Sequence, residues 1–306
     1  MKTFRLEIEV LTAMGSALGG TQLFGQLCCA IRDRFGSETL TKLLEGYEDQ
    51  KPFLVISDAF PKGHIPLATM PNSMMNIDEK TDRKIVKKLK WIPLESIHEE
   101  LPNWFKFAKS DKDLCNEKVI SLMKNIQVHN TLNRLTQTTG VAPFTPYETT
   151  LTHYSDNALL DIYIVLDTDR FSLDNLKTVL NDIGTYGFGR DSSIGLGKFS
   201  VNTIDEVDVS KTQNQMYETL AVSSLKGVPL DTSNSFYKTE TYFGKHGSIR
   251  GLINSPFKSP VLLASTGALL KLKTSETTLF IGNGIKGVSP QYPDTVQQGY
   301  APVIGL

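Results

Sequence analysis

Apolar and polar residues alternate from the start of the chain. Phe4, Leu6, Ile8 and Val10 are separated by Arg5, Glu7 and Glu9, the period-two pattern of a half-buried strand. The period then changes. After the turn Gly15–Gly20, residues Leu23, Leu27, Ile31 and Phe35 fall on one stripe, which predicts a helix over Thr21–Phe35 closed by Gly36. Short apolar runs predict a second strand at Phe53–Ser57, ahead of the turn Phe60–Gly63, and a third at Leu159–Leu166. Between Phe171 and Ile183 the spacing is helical again, with Leu173, Leu176, Val179, Leu180 and Ile183 on one face. Ser172 stands at the N-cap and Gly184 where a C-cap glycine belongs. Phe199, Val201 and Thr203 alternate as a fourth strand.

With residues 61–156 set aside, the order is strand, helix, strand, strand, helix, strand. This predicts an α+β fold built on a ferredoxin-like unit, the scaffold shared with the RNA-recognition motif. The intervening segment is too long for a plain loop and reads as a functional insertion. Within it a helix is expected over Glu117–Lys124, and the turn residues between Val128 and Tyr147 predict a projecting hairpin. Beyond Ile204 the chain grows richer in Ser, Thr and Gly. Strand-like pieces recur at Phe236–Phe243, Val261–Ala264, Ala268–Lys273 and Leu279–Ile281, with turns at Gly282, Gly284 and Gly287. The expected division is residues 1–204, carrying the insertion 61–156, and a smaller, mostly β domain over 205–306. A degenerate second ferredoxin-like unit fits that second part too.

Composition narrows the class. The chain has 306 residues, 40% hydrophobic and 21% charged, and a net charge of −1, so any nucleic-acid contact has to come from local patches. Adjacent Cys28 and Cys29 with Cys115 make no C-x-x-C pair and read as reduced thiols of a cytoplasmic protein. The chain enters a strand without a signal peptide, and no apolar run is long enough to span a membrane, so no membrane partner is expected. Among the five histidines no pair has metal-ligand spacing, so neither a metal nor a cofactor is expected. His64 and His153 read as surface or loop residues.

Chemistry concentrates in three places. The densest is Gly184–Phe199, whose five glycines are interleaved with Arg190, Lys198, Ser192 and Ser193. Glycines such as Gly187, Gly189, Gly195 and Gly197 let backbone approach a ligand, and successive amides can form an anion-binding nest beside the cations. The loop follows a helix and precedes a strand. Nucleotide phosphate loops run strand, loop, helix, and Phe199 after Lys198 breaks the G-K-[ST] pattern. A phosphate-contacting loop of another kind remains. Second, Arg83, Lys84, Lys87, Lys88 and Lys90 lead into Trp91, with Trp104-Phe-Lys-Phe107 nearby. A charge run alone is usually a solvated helix face, but the aromatic neighbours favour RNA contact. Third, His129, Asn130, Asn133 and Arg134 carry groups that hydrogen-bond bases and phosphates.

Several stretches together resemble the RAMP superfamily of CRISPR systems, and more closely the fourth subunit of the type III-A (Csm) effector complex. They are Thr21-Gln-Leu-Phe-Gly25, Pro52–Pro61, His129-Asn-Thr-Leu-Asn-Arg134, Gly195-Leu-Gly-Lys-Phe199 and Gly299-Tyr-Ala-Pro-Val303. One departure stands out: the family often carries Asp-Thr before Leu-Phe-Gly, where this chain has Thr21-Gln22. The resemblance implies a non-catalytic subunit at the foot of the complex. It would hold the 5′ handle of the CRISPR RNA (crRNA) and touch the large polymerase-like signalling subunit and a backbone RAMP subunit. A hairpin of the insertion would meet the target RNA near the first guide position. The competing reading is a metal-independent RAMP endoribonuclease processing precursor crRNA, with His129 near Arg134. Those relatives place their glycine loop close to the C-terminus, whereas here it closes the first unit.

Overall fold

The computed structural model describes residues 1–77, 81–209, 211–212, 214–247 and 256–306. Strand β1 (Lys2–Val10) leads into helices α1 (Gly20–Phe35) and α2 (Ser37–Leu44) and strand β2 (Leu54–Pro61). The insertion follows, with β3 (His64–Pro66), α3 (Arg83–Val86), β4 (Leu89–Pro93), β5 (Lys109–Ser110), α4 (Asp111–Asn116), β6 (Leu122–His129) and β7 (Tyr147–Tyr154). The chain returns through β8 (Leu159–Leu166), α5 (Leu173–Tyr186) and β9 (Phe199–Glu206). Its remainder holds β10 (Met216–Thr219), β11 (Thr239–Tyr242), β12 (Val261–Ala264), β13 (Leu269–Lys271), β14 (Phe280–Ile285) and β15 (Gln297–Gly305).

The fold mixes helices with antiparallel sheets. One sheet has the order β2-β8-β1-β9 and another β13-β10-β15-β14; the insertion contributes β3-β4-β5 and the two-stranded β6-β7. The alternation read in β1 is real, with Phe4, Leu6, Ile8 and Val10 buried. They pack with the inner faces of α1 (Leu23, Phe24, Leu27, Ile31) and α5 (Leu176, Val179, Leu180, Ile183). Strand β8 shows no alternation because both its faces are covered. Leu160, Ile162 and Ile164 face the helices, while Tyr163 joins Phe60 in a second core with Ile92 and Trp104 of the insertion and Leu220, Leu269 and Ile304 of the C-terminal part.

The two cores meet at a bulge. The register of β2 on β8 slips between Ile56 and Ala59, so Ser57 and Asp58 leave the ladder. Their neighbourhood finds other partners. The carboxamide of Gln298, itself wholly buried, accepts from Ile56 N at 3.0 Å and donates to Ile56 O at 2.7 Å. Asp58 N donates to Leu220 O and Ala59 N to Leu18 O, each at 2.9 Å. The Asp58 carboxylate accepts from Gly20 N at 2.7 Å and from Thr266 Oγ1 at 2.5 Å. Helix α1 has no side-chain cap at Gly19; its first amide is satisfied by this distant carboxylate, which also suits the positive end of the helix dipole.

Three expectations need correction. Gly184 does not end α5: it lies inside the helix against the Phe199 backbone, and the cap is Gly187, at φ 101°. The helix expected over Glu117–Lys124 is displaced, because the Ser110–Asp113 capping box starts α4 earlier and Lys118, at φ 57°, follows its end; Leu122 onward is strand. His64 is not a loop residue: it lies buried in β3, in register with Pro93 of β4, with Nδ1 2.9 Å from Lys62 O.

Replacing Gln298 by Ala should strip two buried backbone groups of Ile56 of their partners. The expected cost is about 2–4 kcal/mol in urea unfolding, and a cost near zero would show that water replaces the amide. A second prediction concerns pH. Burial pushes Asp58 up to about 6, against the hydrogen bonds from Thr266 and Gly20 that hold it down. A carboxyl whose folded pKa exceeds its unfolded value binds its proton more tightly when folded, so stability rises as pH falls from about 6 toward about 4. Asp58→Asn should therefore gain less than the parent between roughly pH 7 and 5, by on the order of 1 kcal/mol. Glu218, wholly buried and pushed well up by burial, retains a share of the pH dependence.

Candidate nucleic-acid interface

The glycine loop closes on itself before it offers anything outward. A Cβ on Gly197 would stand 2.1 Å from Phe188 O and one on Gly187 2.4 Å from Leu196 O, so the loop's two arms touch backbone to backbone. Both glycines are buried and at positive φ, 74° and 101°. Most loop amides are spent inside the chain. Phe188 N donates to Gly197 O, Gly197 N to Ala13 O, Lys198 N to Thr12 Oγ1, Arg190 N to Ser16 Oγ and Gly189 N to Gln26 Oε1. What faces outward is the tip: Gly189, Arg190, Ser193 and Ile194 are exposed, with Ser192, Gly195 and Lys198 partly so. Nothing lies within 4 Å of a Cβ built on Gly195.

Sequence reasoning missed the partners of this loop. Residues 11–16 run between it and the hairpin, with Leu11 N and Thr12 N both donating to Lys198 O. Met14 and Thr152 of β7 exchange backbone hydrogen bonds at 2.9 and 3.0 Å. Arg190 spans both neighbours, its guanidinium donating to Thr150 O at 2.6 Å and lying 3.4 Å from Asp191. On the other flank, Gln26 of α1 holds Gly187 O and Gly189 N. The available signal was the small-residue run Ala13-Met-Gly-Ser16: a Cβ on Gly15 would meet Arg190 O at 2.4 Å.

The hairpin expected between Val128 and Tyr147 is present, with arms longer than the turn-rich run suggested: β6 and β7 pair from Leu122↔Tyr154 to His129↔Tyr147. Met123, Ile126, Val128, Leu135 and Val141 are all exposed on it. His129 stacks on Tyr147 at 5.1 Å between centroids and 12° between planes, and its Nε2 is 2.9 Å from Thr149 Oγ1. Asn133 has a structural task, its side-chain oxygen accepting from Leu135 N to hold the tip. Asn130 and Arg134 are exposed, with no side-chain hydrogen bond described.

Lys87, Lys88 and Lys90 are brought elsewhere. They are exposed at the end of α3 and on β4, and no described contact joins them to the glycine loop. Lys90 pairs with Asp111 at 2.5 Å, and Asp111 also feels the charge of Lys124 on the hairpin. The aromatic residues thought to interleave with these lysines are mostly packing: Trp104 is buried, and Trp91 Nε1 donates to Asp111 at 2.8 Å. Among the described residues no group of His, Cys, Asp or Glu could hold a metal, and no helix is long and apolar enough to cross a membrane.

No protein-family model and no curated protein matches the sequence. Solved structures do. The chain resembles a crystal structure of the Csm3-Csm4 subcomplex in the type III-A CRISPR-Cas interference complex, at 15% identity and TM-score 0.57, over 99% of both chains. It also resembles a crystal structure of the Csm1-Csm4 cassette in complex with AMPPNP, at 12% identity and TM-score 0.61, over 99% of this chain and 98% of the other. The same cassette in complex with cA4 matches at 12% identity and TM-score 0.59. At such identities the likeness is one of fold, extending from end to end.

Gly25 offers a direct probe of the α1 flank. It is exposed in mid-helix and nothing lies within 4 Å of its missing Cβ, so no contact in the chain requires glycine there. Gly25→Ala should stabilise the protein by about 0.5–1 kcal/mol in urea unfolding. If nucleic acid lies against this turn, the same variant binds it more weakly; an unchanged affinity would place the strand elsewhere.

Proposed function

We propose that this chain is the Csm4-type subunit of a type III-A CRISPR interference complex, a non-catalytic RNA-binding protein that holds the 5′ handle of the crRNA. The carrying observation is the convergence of the glycine loop, residues 11–16 and the root of the hairpin along one flank of α1. The order strand, helix, strand, strand, helix, strand with sheet order β2-β8-β1-β9 supports reading the first part as a ferredoxin-like unit, the scaffold that RNA-recognition motifs use. The sequence stretches that resemble the family map onto this region: Thr21–Gly25 opens α1, Pro52–Pro61 carries the bulge, and Gly195–Phe199 leads the loop into β9.

The neighbours' composition supports the partners. They are assemblies of Csm4 with Csm1 and with Csm3, which corresponds to the large signalling subunit and a backbone RAMP subunit touching this chain. The exposed apolar side chains of the hairpin suit insertion among splayed bases near the first guide position of the target RNA, and the stacked His129–Tyr147 pair offers an aromatic face. A general base needs a proton acceptor aimed at the ribose. His129 instead has Nε2 beside Thr149 and its ring on Tyr147, and Arg134 is not among its described contacts.

Incubating the full chain with labelled repeat RNA in the absence of metal separates the readings. RNA that is bound and remains intact supports the handle-binding subunit. Cleavage lost in His129→Ala would establish the endoribonuclease, and neither binding nor cleavage would leave a protein-only scaffold.

A further inference from the structure

Lys258 lies on the flank of α1 away from the glycine loop. Its backbone amide donates to Gly244 O at 2.9 Å, and its stem runs inward, with Cδ 3.0 Å from the point a Cβ on Gly244 would occupy. The side chain is partly buried, beside Cys28 and Cys29 of α1, and burial pulls its ammonium below the ordinary lysine range. Among the described residues no carboxylate pairs with it. A half-buried ammonium without a counter-charge costs stability.

Gln297 makes a second, independent oddity at the same place. It is 3% exposed, at the start of β15, and among the described residues neither atom of its carboxamide has a hydrogen-bond partner. Its Oε1 lies 3.0 Å from that same point beside Gly244, so the amide and the lysine stem converge there. Cores leave buried amides unsatisfied only rarely. With the carboxamide turned so that Nε2 takes the place of Oε1, one ligand class answers both: an oxyanion accepts from the ammonium and from the amide N–H, and neutralises the charge.

We propose that Lys258 and Gln297 form a phosphate-binding subsite on the second flank of α1, taking a backbone phosphodiester of the RNA that the glycine loop holds on the first. The inference rests on the RNA-binding reading above. The two flanks are close along the helix: Gln26 anchors the glycine loop, and Cys29, one turn on, lies beside Lys258 and Gly247. Between them the exposed Gly25 leaves the helix surface low. The phosphate of a free nucleotide has the same chemistry; the strand is favoured because both sites share one helix.

The test titrates the full chain with labelled oligouridylate and, separately, labelled ATP over a range of salt. Lys258→Met should weaken RNA binding about tenfold and make the salt slope shallower by about 0.7, the share of one single-strand phosphate contact. Lys258→Arg should restore both. Gln297→Leu, which removes an unsatisfied buried amide, should raise the unfolding free energy while weakening RNA binding, a pair of opposite signs that a packing role does not produce. It also decides the matter should Lys258→Met fail to fold. Parental RNA affinity and slope in these variants overturn the subsite while the RNA-binding reading stands. Loss of ATP binding alone assigns the pair to a free nucleotide and overturns the strand. A parent chain that binds no RNA overturns both.

Discussion

The structure turns on the broken stretch of β2. A bulge in an antiparallel ladder frees backbone groups that a buried core cannot leave unsatisfied. Here those groups are answered from other parts of the chain: Gln298 from β15, Leu220 from the end of β10, and Leu18 from the approach to α1. Asp58, pushed out of the ladder by the same bulge, reaches Gly20 at the head of α1 and Thr266 between β12 and β13. One irregularity therefore fixes the position of α1 and locks the C-terminal sheet to the first. Tyr300 adds to the joint, its hydroxyl on Tyr47 O and its ring against Tyr47 and Phe280.

That lock builds the interface. With α1 held by its N-terminus, Gln26 is presented to the glycine loop and the Cys28–Cys29 turn to Lys258. The loop is rigid in its arms, because each glycine there permits a backbone contact, and open only at its tip. Arg190 then spends its guanidinium on Thr150 and ties the hairpin root to the loop. Rigid arms leave little ordering entropy to be lost when the tip meets a partner. The hairpin differs in kind. Its exposed Met123, Ile126, Val128 and Leu135 gain nothing in the free chain, and apolar groups displayed on a two-stranded ribbon mark a contact surface.

Much of the first unit was legible in the sequence because its signals are local. The alternation of Phe4 to Val10, the stripe Leu23–Phe35 and the pair Ser172 with Leu176–Ile183 each follow from a period or a cap. What escaped depends on distant partners. Gly184 looked like a terminator, yet its missing side chain serves the approach of Phe199. His64 looked like a loop residue because β4, the strand that pairs with its own, lies some 25 residues away in sequence. Strand β15 reads as a Gly- and Pro-containing tail, Gln-Gln-Gly-Tyr-Ala-Pro, and becomes a strand only where β10 and β14 flank it. The glycine loop was legible as a loop, and its residue types suggested amides open to an anion; its partners were not legible, for the amides of Gly189, Arg190, Gly197 and Lys198 donate to Gln26 and to residues 12–16. Lys258 and Gln297 give no sequence signal at all, since only burial makes an unpaired lysine or amide conspicuous.

The most direct measurement of where RNA lies is photocrosslinking of the full chain to 4-thiouridine-substituted single-stranded RNA, with crosslinked peptides mapped by mass spectrometry. An RNA strand lying along α1 places the crosslinks in residues 12–29 and 187–198, with hairpin peptides around Tyr147 joining them. Crosslinks confined to the exposed Phe243, Phe257 and Leu262 region of the C-terminal part, with α1 and the glycine loop silent, would contradict it.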